Sequence, residues 1–147
     1  VEHITHDWLT PCEYIPYIDA LLKDIDLDPC STYDANNQFL RARKIYTHEI
    51  DGLNIEEPWT GKTYLFPPTF GRCSFADPEM IRTCPEMWDF PVCVPTNRAN
   101  LIHGNKFECL ESPISWGYFV YLPEINLGFN QTERFKNIFS HIGKVIC

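Results

Sequence analysis

Prolines bound the apolar runs of this chain. Ile25-Asp26-Leu27-Asp28 stops at Pro29, Lys62 to Phe66 stops at Pro67, and Val92-Cys93-Val94 is held between Pro91 and Pro95. A proline fixes φ and lacks an N–H, so neither a helix interior nor a central strand runs through one. The chain is therefore restricted to short elements joined at rigid corners, and 12 prolines in 147 residues make those corners frequent. Such a length suits one domain, read here as residues 1–147, that removes roughly 70% of its unfolded surface from water. With 44% apolar and 22% charged residues, the composition is that of a globular fold rather than a disordered one.

Between the corners, periodicity assigns the elements. Thr10-Pro11-Cys12-Glu13 has the form of a helix start, with Thr10 as N-cap, Pro11 in the first position and Glu13 completing a capping box. Ile15, Ile18, Leu21, Leu22 and Ile25 follow at helical spacing, with Pro16 delaying or kinking the first turn. Short strands are predicted at 25–28, 44–47, 62–66, 92–94, 106–110 and 118–122. Asp34 to Ala42 reads as a turn or short helix, and Asp77-Pro78-Glu79 opens another that Pro85 breaks. Gln131 to His141 places Phe135, Ile138, Phe139 and Ile142 on one face, with Gly143 as C-cap and Val145-Ile146 as a last edge strand. This alternation predicts an α/β sandwich with a mixed or mainly parallel sheet.

The charge pattern narrows the function. Twelve Lys+Arg against 20 Asp+Glu give a net charge of -8. Nucleic-acid affinity rests on neutralising phosphates, so tight DNA binding by this domain alone is not expected. The one basic cluster, Arg41-Ala42-Arg43-Lys44, reads as a solvated face. No apolar run of about 18 residues is present, so no transmembrane helix is expected, and no signal-peptide pattern opens the chain. The start at Val1 fits a processed mature chain or a piece of a longer one; the compartment is open. Seven cysteines show no C-x-x-C pair and the five histidines no ligand cluster, so no metal is expected. Cys93 and Cys109 read as buried small hydrophobes. A disulfide-stabilised secreted domain is a third reading, against which the odd number of cysteines weighs, and Asn130-Gln131-Thr132 matches a glycosylation sequon that would matter only there.

Four clusters stand in order along the first half: Trp8-Leu9-Thr10-Pro11, Leu27-Asp28-Pro29-Cys30-Ser31, Asp51-Gly52-Leu53 with Trp59, and Phe66-Pro67-Pro68-Thr69. Their order and spacing resemble the phage-type DNA N6-adenine methyltransferase family, with its W-x-T-P, D-P/V-C/A, D-G-L…W and N-P-P-Y segments. Pro91 to Thr96, Glu108 to Pro113 with Tyr118 to Leu122, and Arg134 to Val145 look like that family's closing strands and helix, so the resemblance spans nearly the whole chain. It implies a Rossmann-like, S-adenosylmethionine-dependent methyltransferase fold, an open mixed sheet with flanking helices and a cofactor beyond the carboxyl ends of the strands. By position, Asp28, Pro29, Cys30 and Ser31 would face the methionine end. Trp8 stands in the same segment as Thr10 and Pro11, which would border the cofactor, and Asp51, Gly52 and Leu53 would lie on the adenosine side. The competing readings are plainer: Asp28 and Asp51 as turn caps, Trp8 and Trp59 as core aromatics.

The fourth cluster departs from the family. There the chemistry flips an adenine into a pocket. An Asn or Asp carbonyl accepts its amino hydrogens, and an aromatic residue stacks on the base. Phe66 has no lone pair to offer and fills more space, and Thr69 removes a stacking surface worth about 1–3 kcal/mol. Losing one such preorganised acceptor typically costs on the order of 100- to 1000-fold in rate. The motif N-P-P-Y is thus degenerate here as Phe66, Pro67, Pro68 and Thr69, and no catalytic residue is expected at it. The sequence reading is a catalytically inactive methyltransferase-like domain, reused as a structural or protein-interaction subunit of a larger assembly. Protein partners are then expected, with Trp88, Phe90, Trp116, Tyr118, Phe119 and Tyr121 as interface anchors or, more plainly, core residues. No cofactor is expected, or S-adenosylmethionine if binding is retained. The alternative is an active S-adenosylmethionine-dependent enzyme, acting on adenine N6 or another acceptor, with His48, Glu49 or Asp51 as base.

Overall fold

A computed structural model describes residues 8–10, 12–47, 49–50, 52, 56–65, 85–97, 102–103, 118–123 and 131–147. Elements are numbered in chain order. Two compact units share the chain: Val1–Thr69 with Leu101–Leu110, and Phe70–Asn100 with Glu111–Cys147.

In the first unit, β1 (Trp8–Leu9) pairs antiparallel with β5 (Ile102–His103). A 3₁₀ turn at Cys12–Tyr14 leads into α1 (Ile15–Leu22). Its start differs from the predicted capping box. Pro16 lies in the first α-helical turn, where its missing N–H has no partner to lose, and Tyr14 occupies the N-cap with no side-chain capping bond to the helix. The Thr10 hydroxyl is engaged elsewhere, as described below. Tyr14, Ile18, Leu21 and Ile25 form the buried stripe, at steps of four and three residues. The helix ends at Lys23, which has a positive φ of 61° with ψ -79° while its N–H donates to the Asp19 carbonyl at 2.7 Å.

The strand β2 (Leu27–Asp28) follows and lies parallel to β3 (Lys44–Ile45), Leu27 opposite Lys44 and Asp28 opposite Ile45. The crossover between them holds α2 (Tyr33–Ala35), capped by the Thr32 hydroxyl accepting from the Ala35 N–H at 3.1 Å, and a π-helical turn at Asn36–Leu40. The Asn36 amide then closes the connection. Its Nδ2 donates to the Ala42 carbonyl at 3.0 Å and its Oδ1 accepts from the Ala42 N–H at 2.8 Å. On its other side, β2 bridges in parallel to Thr63, with the Tyr64 N–H donating to the Leu27 carbonyl at 3.0 Å. Flanked in parallel on both sides, Leu27 and Asp28 are both buried, as residues of a strand covered on both faces should be.

In the second unit, β4 (Val92–Pro95) is the middle strand of an antiparallel sheet, with β6 (Phe119–Val120) on one side and β7 (Gly143–Ile146) on the other. The helix α3 (Thr132–Phe139) supplies Phe135 and Phe139 to the core. Phe135 stacks on Tyr121 with centroids 5.5 Å apart and on Phe139 at 4.6 Å, and Phe139 tilts onto Phe119 at 5.0 Å. Phe119 and Tyr121, both half-buried, thus pack within this unit, whereas Trp88 is exposed. Cys93 is fully buried, its thiol facing the Phe139 carbonyl at 3.5 Å. Gly143 does not cap α3, as its position predicted; Ser140 does, and Gly143 opens β7. A Cβ there would collide with the Val94 carbonyl and come within 2.6 Å of the Pro95 backbone, so the strand pairing itself requires glycine.

The predicted elements at Asp77–Glu79 and Lys106–Leu110, together with Trp116 and Cys109, lie outside the described residues. Among the described residues no helix is long and apolar enough to cross a membrane.

Candidate functional site at the carboxyl end of β2

The order β3, β2, Thr63 puts the crossover of β2 on one side and a later parallel segment on the other. The chain thus leaves the carboxyl end of β2 between two parallel neighbours. Asp28 is the last residue of β2 and stands there, 3% exposed.

Burial dominates its chemistry. Removal from water pushes the Asp28 carboxyl up from its ordinary 3.8 to about 7, with the Cys30 N–H and the Ser31 hydroxyl pulling in the opposite direction. The Cys30 N–H donates to Oδ1 at 3.1 Å, an Asx-type turn that folds the chain sharply after the strand. The turn-cap role and the buried-acid role therefore coexist in one residue. Near pH 7 the group is poised between a neutral hydrogen-bond donor and an anion.

The Tyr64 hydroxyl neighbours it. Thr10, itself buried, meets the Tyr64 hydroxyl at 2.7 Å, and it does not cap α1, which begins only at Ile15. Burial raises the Tyr64 phenol well above its ordinary value, its bond to Thr10 pulls the other way, and the neighbouring Asp28 adds to the rise. Tyr64 thus stays neutral and holds the segment after β1 against the end of the sheet.

The third cluster joins from below. Gly52 packs so tightly on the loop after β2 that a Cβ would lie 2.6 Å from the Pro29 carbonyl and 3.2 Å from the buried Tyr46 ring. The Trp59 indole N–H donates to the Gly52 carbonyl at 3.0 Å, while its ring remains partly exposed. Trp59 is a brace for the Gly52 turn rather than a core aromatic.

The structure therefore brings together Thr10, Asp28, Pro29, Cys30, Ser31, Gly52 and Trp59, drawn from three of the four sequence clusters. Trp8 is in β1, two residues before Thr10. Pro11, His48, Asp51, Leu53, Phe66, Pro67, Pro68 and Thr69 lie outside the described residues. Sequence reasoning missed Tyr64. The signal was present, because alternation along Lys62 to Phe66 groups Tyr64 with Phe66 and so with the fourth cluster.

Among the described residues no group of three or more His, Cys, Asp or Glu side chains is placed to hold a metal. Comparison of the chain with family models, with curated proteins and with solved structures finds no match.

Proposed function

We propose that this chain is a Rossmann-like, methyltransferase-like domain that keeps part of a cofactor crevice, has lost methyl transfer to adenine, and serves as a structural or protein-interaction subunit of a larger assembly. The observation that carries the proposal is Asp28: a buried acid at the end of a strand flanked in parallel on both sides. That position matches the acidic corner of the family the sequence resembles, and Phe66 follows Tyr64 by two residues where the family has its amine acceptor. S-adenosylmethionine, when bound, supplies an activated methyl group. Asp28 and the Cys30–Ser31 turn would hold its methionine end, and Thr10 would border it. Exposed Trp88, Leu122 and Ile146 provide apolar anchors of the kind protein partners cover.

The test combines two measurements. Methyl transfer to single- and double-stranded DNA containing adenine is assayed for the chain and for Phe66→Asn, and S-adenosylmethionine binding is followed by calorimetry. The expected result is no turnover by the unaltered chain and at most weak binding that Asp28→Ala removes. Robust turnover would overturn the proposal.

One observation favours a second reading, an active S-adenosylmethionine-dependent enzyme with another acceptor. The chain keeps a carboxyl at position 28 although burying it costs stability. On this reading Glu49, exposed just beyond β3, is a candidate base alongside His48 and Asp51. Micromolar cofactor affinity would select it.

A further inference from the structure

We propose that the turn after β2 is a proton-operated relay: the Ser31 hydroxyl exchanges acceptors between the Asp28 carboxylate and the Thr32 carbonyl, and so passes the charge state of Asp28 to Asn36, the residue that closes the crossover. The relay depends on neither a cofactor at Asp28 nor the class of protein.

Its parts form one line of hydrogen bonds. Asp28, 3% exposed, accepts from the Cys30 N–H at 3.1 Å and is served as well by the Ser31 hydroxyl. That hydroxyl also lies 3.3 Å from the Thr32 carbonyl. It has one proton to give, so the two acceptors compete for it. The Thr32 carbonyl in turn accepts from the Asn36 N–H at 2.9 Å, the bond that closes the first turn of α2. The Asn36 side chain then holds both polar groups of the Ala42 backbone.

The backbone of the turn is pinned, which leaves the hydroxyl as the part that adjusts. The Tyr46 N–H donates to the Asp28 carbonyl and the Ser31 N–H to the Tyr46 carbonyl, both at 3.0 Å. Gly52 seats against the Pro29 carbonyl. The hydroxyls of Thr10 and Tyr64 are bonded to each other at 2.7 Å. Tyr64 faces Asp28 from the segment parallel to β2 and stays neutral. Tyr46, just after β3, meets Asp28 through the backbone, and Lys44 of β3 is drawn to Glu57. None of these neighbours supplies a cation, so the ionised carboxyl relies on N–H and O–H donors.

Burial places the ionisation of Asp28 at about 7. At lower pH the acid keeps its own proton, and Ser31 donates to the Thr32 carbonyl in competition with the Asn36 N–H. At higher pH the carboxylate takes the Ser31 proton in a charge-assisted bond, roughly twice as strong as a neutral one. The Thr32 carbonyl is then left to Asn36. Raising pH tightens the start of α2, and lowering it loosens that turn.

Amide proton shifts of the full chain, followed from about pH 5 to about pH 9, test the relay. The Cys30 amide reports the ionisation of Asp28 itself, and the Asn36 amide should move downfield with the same midpoint. In Ser31→Ala the Cys30 step should persist at a higher midpoint, because the carboxylate has lost a donor, while the Asn36 step shrinks by about fivefold or more. Ser31→Thr, which keeps the hydroxyl, should restore it, and Asp28→Asn should flatten both amides. A Cys30 step without an Asn36 step, an Asn36 step undiminished in Ser31→Ala, or no step at either amide would overturn the relay.

Discussion

At the scale of single residues, Asp28 couples the candidate site to stability. Its folded value of about 7 lies above the ordinary 3.8, so the folded chain binds the proton more tightly than the unfolded chain. Its cost is absent below about pH 4, grows as pH rises through the interval to 7, and is constant above. Asp28→Asn keeps an oxygen for the Cys30 N–H and removes the charge. It should raise stability by about 2–4 kcal/mol at pH 8 and leave it nearly unchanged at pH 4. Urea unfolding of both proteins across that range checks it; a pH-independent difference would contradict the burial argument. Tyr64→Phe tests the neighbouring bond. It strands the buried Thr10 hydroxyl and should cost about 1–2 kcal/mol, while a Thr10→Val, Tyr64→Phe double variant should recover part of the loss.

At the scale of elements, close approach and aromatic packing set the tolerances. Gly143→Ala forces a methyl group into the backbone of β4, and should cost about 1–3 kcal/mol or displace β7. Phe135→Ala should cost about 3–5 kcal/mol because Tyr121 and Phe139 both rest on that ring. Chemical denaturation monitored by tyrosine and tryptophan fluorescence measures both. These elements also show what could be read in advance. The stripe of Phe135 and Phe139 and the Pro91–Pro95 run gave α3 and β4 nearly to the residue, because local period and proline bounds suffice there. Gly143 was misassigned because a glycine after a helix has two uses, and only the partner strand decides between them. The hydroxyl of Thr10 was misassigned for a similar reason: its partner lies 54 residues away, beyond any local capping rule.

At the scale of the whole chain, charge is the property that was legible without coordinates. A balance of -8 predicts that duplex DNA of random sequence binds more weakly than about 10⁻⁴ M at physiological salt, the weak limit of ordinary non-specific binders. Fluorescence anisotropy with labelled duplex measures this, and a micromolar, steeply salt-dependent affinity would contradict it. Asp28, Gly52 and Trp59 were singled out through the family resemblance of their clusters, but that Gly52 seats on Pro29 and that Trp59 braces it follow from tertiary contacts no local pattern encodes. The paired bonds between Asn36 and Ala42 carry a consequence for handling the purified protein. Deamidation of that side chain during storage would exchange its donating nitrogen for a second oxygen, set against the Ala42 carbonyl. The lead-in to β3 would lose its clasp, so aged preparations should show a one-dalton heavier species with a loosened 36–42 segment, and Asn36 is the position to secure first.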